Sequence, residues 1–103
     1  MAFSHPHTGN AEEMKRLRRQ AGRMLREMRL KVEKTQRAVA EEIGFEYYTM
    51  VSQIESGKTR VPPLQIVPYA RALRVSPREL ARKLMRYYDP VTFEILFTDK
   101  YEA

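Results

Sequence analysis

The sequence contains no cysteine. Disulfide frameworks and thiolate chemistry are therefore excluded, and a reducing cytoplasm is the expected location. No stretch approaches the roughly 20 apolar residues that a bilayer span needs. The opening "MAFSHPHTGN" also lacks the apolar core of a secretion signal. A membrane is thus not an expected partner. No acid, base and nucleophile form a recognisable set, and no glycine-rich loop is present to cradle a phosphate, so an enzyme is not expected. The two histidines, His5 and His7, sit on a short polar stretch and do not make a metal site. No metal and no cofactor are assigned. Internal repeats and low-complexity segments are absent as well.

Negative charge is scarce in one region. From Met14 to Arg37 there are ten Lys/Arg and two Glu, a local excess of +8 in a chain whose net charge is +6. Such a face suits an anionic partner, with nucleic acid first and an acidic membrane surface second. The bland alternative is a solvated helix side. The membrane reading is the weaker one, because the apolar stripe of the same helix is needed for a core.

The 103 residues fit one small domain. Residues 1–10 read as a loose tail. A helical pattern then runs from Ala11 to Lys31, with Met14, Leu17, Ala21, Met24, Leu25 and Met28 at steps of three and four. Gly22 inside it weakens the helix by about 1 kcal/mol relative to Ala. Thr35 can cap a second helix, "QRAVAEEI", which Gly44 stops. A third lies between Gly44 and Gly57. A fourth begins near Pro62 or Pro63 and buries Leu64, Ile66 or Val67, Ala70 and Leu73; Pro68 must delay its start or kink it. "SPRE" opens a fifth at Pro77, and Asp89–Pro90 ends it. "VTFEILF" alternates like a strand but also fits a helical turn capped by Asp89, and a short helix is favoured. The domain thus spans residues 11–87, with an apolar C-terminal extension at residues 88–103.

The stretch "GFEYYTMVSQIESG" carries the functional argument. On a helical wheel Tyr47, Met50, Val51 and Ile54 share one side. Tyr48, Thr49, Ser52, Gln53 and Ser56 share the other, which has hydrogen-bonding groups and no charge. Polar uncharged groups suit base edges in a major groove, while the charges on either side suit phosphates.

"LREMR", "TQ", Ala40 before "EEIG", "VSQIESGK" and, farther on, "YARALRVSPREL" occur in that order. Together they resemble the Xre/Cro phage-repressor type of helix-turn-helix domain, over about Leu25 to Leu84. The resemblance implies an all-α, five-helix repressor-like domain, here with a longer basic first helix. It implies that helix 3 enters the major groove of double-stranded DNA and helix 2 crosses the backbone. Tyr48, Thr49, Ser52 and Gln53 match the base-reading positions. Gln36, Arg37, Lys58, Thr59 and Arg60 match phosphate-binding positions, and Arg29 and Glu55 match a structural ion pair. The departures are one extra residue between Gly44 and Gly57, Lys34 where an apolar residue is usual, Arg74 where glycine is usual, and prolines at 62, 63 and 68. The extra residue leaves open whether Tyr47 or Tyr48 is the buried one.

The expected function is a sequence-specific transcription regulator, acting as a homodimer on a palindromic site with recognition helices roughly 34 Å apart. Its dimer surface is expected to use Tyr87, Tyr88, Phe93, Leu96 and Phe97, which could instead seal the domain. The arginine helix before Leu25 is expected to reach further phosphates. The alternative is an antitoxin or inhibitor in which the same domain holds a protein partner.

Overall fold

Short polar side chains decide where three of the helices begin. Thr35 Oγ1 accepts the Ala38 N–H at 3.0 Å, Ser76 Oγ accepts that of Glu79 at 3.3 Å, and Asp89 Oδ1 accepts that of Thr92 at 3.2 Å. Each satisfies a donor that the first helical turn leaves without a partner. A computed structural model describes residues 4–102, with side chains from residue 10 onward. The elements are α1 (Ser4–Lys31), α2 (Gln36–Ile43), α3 (Thr49–Glu55), α4 (Ile66–Ala72), α5 (Pro77–Tyr88) and α6 (Pro90–Phe97), with one 3-10 turn (Pro63–Gln65) ahead of α4. No strand occurs among the described residues, so the fold is all-α and "VTFEILF" is helical.

α1 begins at Ser4 rather than at Ala11, so helix replaces the expected tail over those residues; residues 1–3 and the side chains of His5 and His7 lie outside the described residues. Pro6 falls in the first turn, where a backbone N–H would have no intrahelical acceptor. α2 closes at Gly44, whose φ of 90° is left-handed and whose N–H reaches the Ala40 carbonyl. Pro68 is the third residue of α4, so it delays that helix and does not kink it.

The core unites Ala21 and Leu25 of α1, Val39, Ala40 and Ile43 of α2, Val51 and Ile54 of α3, Tyr69, Ala70 and Ala72 of α4, and Leu80, Leu84 and Tyr88 of α5, with Val61 and Leu73 from the connections. α1 packs on α5 and α3, α2 on α3 and α4, and α6 on α5. Two expected core positions are corrected. Leu64 is 91 % exposed, because it sits in the 3-10 turn and Ile66 supplies the inward contact. Tyr47 is 63 % exposed and Tyr48 51 %. Neither tyrosine is buried: α3 starts only at Thr49, the turn from Gly44 to Tyr48 absorbs the extra residue, and Phe45 packs against the core instead.

Arg74, where glycine is usual, holds φ at 60°. The left-handed region disfavours a residue with a Cβ, whereas glycine enters it freely and loses some unfolded-state entropy in return. Arg74→Gly is expected to stabilise the domain by about 0.5–1 kcal/mol, read as a higher urea midpoint at unchanged m-value.

Candidate nucleic-acid interface

The position of α3 is set by its end nearest α1. A Cβ on Gly22 would lie 2.1 Å from the Glu55 carbonyl oxygen, so the backbones of α1 and α3 touch there. Gly57 does the same one turn along: its φ is 83°, and a Cβ would lie 2.7 Å from the Arg19 Cα. Arg18 Nε donates to the Gly57 carbonyl at 3.2 Å. The Lys58 N–H closes the end of α3 by reaching the Gln53 carbonyl at 3.0 Å.

A buried ion pair lies at this junction. Arg29 Nε and a terminal guanidinium nitrogen donate to the two Glu55 oxygens at 2.7 and 3.1 Å. Both residues are 7 % exposed. The hydrogen bond to Glu55 raises the Arg29 pKa, against the opposing effect of burial. The other terminal guanidinium nitrogen donates to the Lys34 carbonyl at 2.8 Å, and Gln36 Nε2 donates to Glu55 at 3.0 Å. The side-chain amide of Gln36 therefore turns at least one donor inward to Glu55, which ties α2 to α3. The Tyr69 hydroxyl is buried with no hydrogen-bond partner among the described residues. Burial first, and the Glu55 charge second, hold its pKa above the usual tyrosine value.

With that end fixed inside, the opposite side of α3 faces outward. Tyr48, Thr49 and Gln53 are exposed and Ser52 is half-buried. None of these four side chains makes a hydrogen bond among the described residues. Cations flank the face. The Arg37 guanidinium lies 4.6 Å from the Tyr48 ring centre, which joins the start of α2 to the turn before α3. Beyond the other end of α3, Lys58, Thr59 and Arg60 are all exposed.

Tyr88 organises that second flank. Its hydroxyl accepts the buried Val61 N–H at 3.1 Å, and the Arg60 guanidinium lies 4.6 Å over its ring. Burial raises its pKa; the bond from Val61 and the charges of Arg60 and Arg18 oppose the rise. Tyr88 is thus corrected from a dimer-surface residue to a core residue, since its ring fills the interior at the end of α5. Tyr87 is half-buried against the same core. Phe93 is half-buried, with its ring centre 5.1 Å from that of Phe97. Leu96 and Phe97 stay exposed, with Val91 and Ile95 beside them in sequence.

In the sequence Lys34 stands out only because an apolar residue is usual there; its role is structural. Its Nζ donates to the Ala72 carbonyl at 2.7 Å and pairs with Glu42 at 2.8 Å. Ala72 ends α4, where a carbonyl lacks an intrahelical donor and a cation is favoured. Nothing local marks that bond, because its acceptor is 38 residues away. Among the described residues no cluster of metal-ligating side chains occurs, and no helix is long and apolar enough to cross a membrane.

α2, the turn at Gly44 and α3 form a helix-turn-helix held from behind by the core. No curated protein and no solved structure matches the chain. A family model described as helix-turn-helix does match, over residues 25–80. That span is more than half of the chain and runs from Leu25 of α1 to Leu80 of α5. On these grounds the chain belongs to the helix-turn-helix family of the Xre/Cro type, a family of DNA-binding regulators and not of enzymes.

Proposed function

We propose that the protein is a sequence-specific transcription regulator that reads a palindromic operator as a homodimer. The observation that carries the proposal is the outward side of α3, where Thr49, Ser52 and Gln53 are polar, uncharged and without side-chain hydrogen bonds among the described residues, yet flanked by cations at both ends. Thr49, Ser52 and Gln53 then meet base edges, with Tyr48 at the margin. Arg37, Lys58, Thr59 and Arg60 meet phosphates, with Gln36 joining through whatever donor capacity Glu55 leaves it. The exposed apolar residues of α6, above all Leu96 and Phe97, support pairing with a second copy; two-fold symmetry of the protein then matches a palindromic site.

Two variants test this reading. Gln53→Ala should relax preference at one base pair, with a loss of about 1–3 kcal/mol of discrimination there. Arg60→Ala should weaken all duplexes alike and reduce the salt slope by roughly 1. Both are measured by fluorescence anisotropy on a selected binding site and on random duplex. Equal loss on both duplexes for the two variants would exclude a reading role for α3.

The exposed apolar side of α6 also favours a second reading, in which it holds a different protein, as in an antitoxin. Co-purification of a stoichiometric partner in place of a homodimer would favour that reading.

A further inference from the structure

The family match begins at Leu25, yet α1 extends well ahead of it. In that extension a cleft of about 270 Å³ opens between α1 and the end of α3, lined by Lys15, Arg18, Arg19, Ser56, Gly57 and Lys58. Four of the six are cationic and none is acidic. No carboxylate among the described residues pairs with any of the four; Glu13, the nearest acid in sequence that forms an ion pair, is engaged with Arg16. Like charges gathered around one concavity repel each other and raise the local concentration of anions. Holding them together without an acid disfavours the free domain and favours an anionic ligand.

The cleft is also a built feature. The bond from Arg18 Nε to the Gly57 carbonyl ties one wall to the other, and the close approach of Gly57 to the Arg19 backbone fixes their spacing. The cleft is continuous with the loop after α3, since Lys58 belongs to both. The Arg60 guanidinium of that loop lies 4.6 Å over the Tyr88 ring, and the charges of Arg60 and Arg18 both oppose the rise in the Tyr88 pKa.

We infer that this cleft binds a backbone phosphate of duplex DNA beyond the base pairs read by α3, so that α1 lengthens the footprint past that of the helix-turn-helix itself. The inference rests on the DNA-binding reading above. It gives the basic helix a stated site: Lys15, Arg19 and Lys58 supply charge and Arg18 supplies charge from a fixed position, while the Ser56 hydroxyl donates to the Gln53 carbonyl and only lines the wall. The cleft carries no base preference, because all its groups address phosphate.

The test is the salt dependence of binding to a fluorescein-labelled random-sequence duplex, followed by anisotropy over a range of NaCl concentrations. Lys15→Ala/Arg19→Ala should make the slope of log K against log salt shallower by roughly 0.9 for each phosphate that the variant no longer neutralises. Alanine is a better helix former than either residue it replaces, and both positions are exposed, so the fold is retained; circular dichroism checks this. Lys31→Ala/Lys83→Ala removes the same charge from the groove between α1 and α5, where Lys31 is roughly 24 Å from Lys15 along α1. A shallower slope in the first double variant than in the second supports the inference. Equal slopes in the two double variants, with wild type binding duplex normally, overturn it and leave the DNA-binding reading intact. Absence of duplex binding by wild type at any salt concentration overturns both.

Discussion

Glu55→Ala is expected to cost about 3–5 kcal/mol, a large fraction of the 5–15 kcal/mol that holds a small domain together. Removing the carboxylate leaves the Arg29 guanidinium in the interior with a charge and without two of its acceptors. The Lys34 carbonyl still takes one N–H, but a single neutral acceptor does not offset the loss of solvation around a cation. Gln36 loses its acceptor at the same time, so the tie between α2 and α3 goes with the ion pair. Urea unfolding followed by circular dichroism gives the loss. Arg29→Met/Glu55→Met provides the control. Replacing both charges with apolar groups leaves no unpaired ion, and a buried pair exchanged in this way is often close to neutral. The double variant should therefore be the more stable of the two. A Glu55→Ala protein within about 1 kcal/mol of wild type would mean that water reaches Arg29 and that the pair is not the anchor described above.

Gly22→Ala should also destabilise, by about 2–3 kcal/mol, although the same change on a free helix surface would stabilise by about 1 kcal/mol. The two effects have opposite signs, which makes the outcome decisive. The added methyl would meet the Glu55 carbonyl oxygen at 2.1 Å and the Ile54 carbonyl oxygen at 2.8 Å. Both are backbone atoms at the end of α3, so no rotamer change relieves the clash; α1 must move away from α3. That movement also stretches the Arg29–Glu55 pair, so the combined Gly22→Ala/Glu55→Ala variant should lose less than the sum of the single losses. An increase in the urea midpoint for Gly22→Ala would show that α1 and α3 are farther apart than the structure has them.

Local chemistry is legible in the sequence where a residue acts on its own neighbours. Thr35, Ser76 and Asp89 each bond a backbone N–H three residues on, so their side-chain type and position suffice. Gly44 is legible for a similar reason, since a helix exit needs a left-handed residue. Arg29 and Glu55 are 26 residues apart, and only the resemblance to a known family joins them. Gly22 reads as a weak point in a helix, because the helix it touches cannot be seen from α1 alone. A helical wheel that includes the tyrosines of "EYY" begins too early. One additional residue can lengthen a turn or a helix, and periodicity does not distinguish these; the core chose, by accepting Phe45. Tyr88 is ambiguous in the sequence because an aromatic ring at a domain end seals a core or a subunit interface equally well. The Val61 N–H, which needs an acceptor, resolves it.

Thr49, Ser52 and Gln53, on the outward side of α3, make no side-chain hydrogen bond among the described residues and so hold nothing else in place. Their helix is secured through Val51, Ile54, Glu55 and the backbone at Gly22 and Gly57. Substitutions at Thr49, Ser52 and Gln53 thus leave the fold nearly untouched, whereas one at Tyr48 also gives up the contact with Arg37. Under the proposed reading, recognition can diversify at Thr49, Ser52 and Gln53 without a folding penalty. A set of three outward residues taken from another protein of this type could be grafted here as an interchangeable cassette, and the scaffold behind it would not register the exchange.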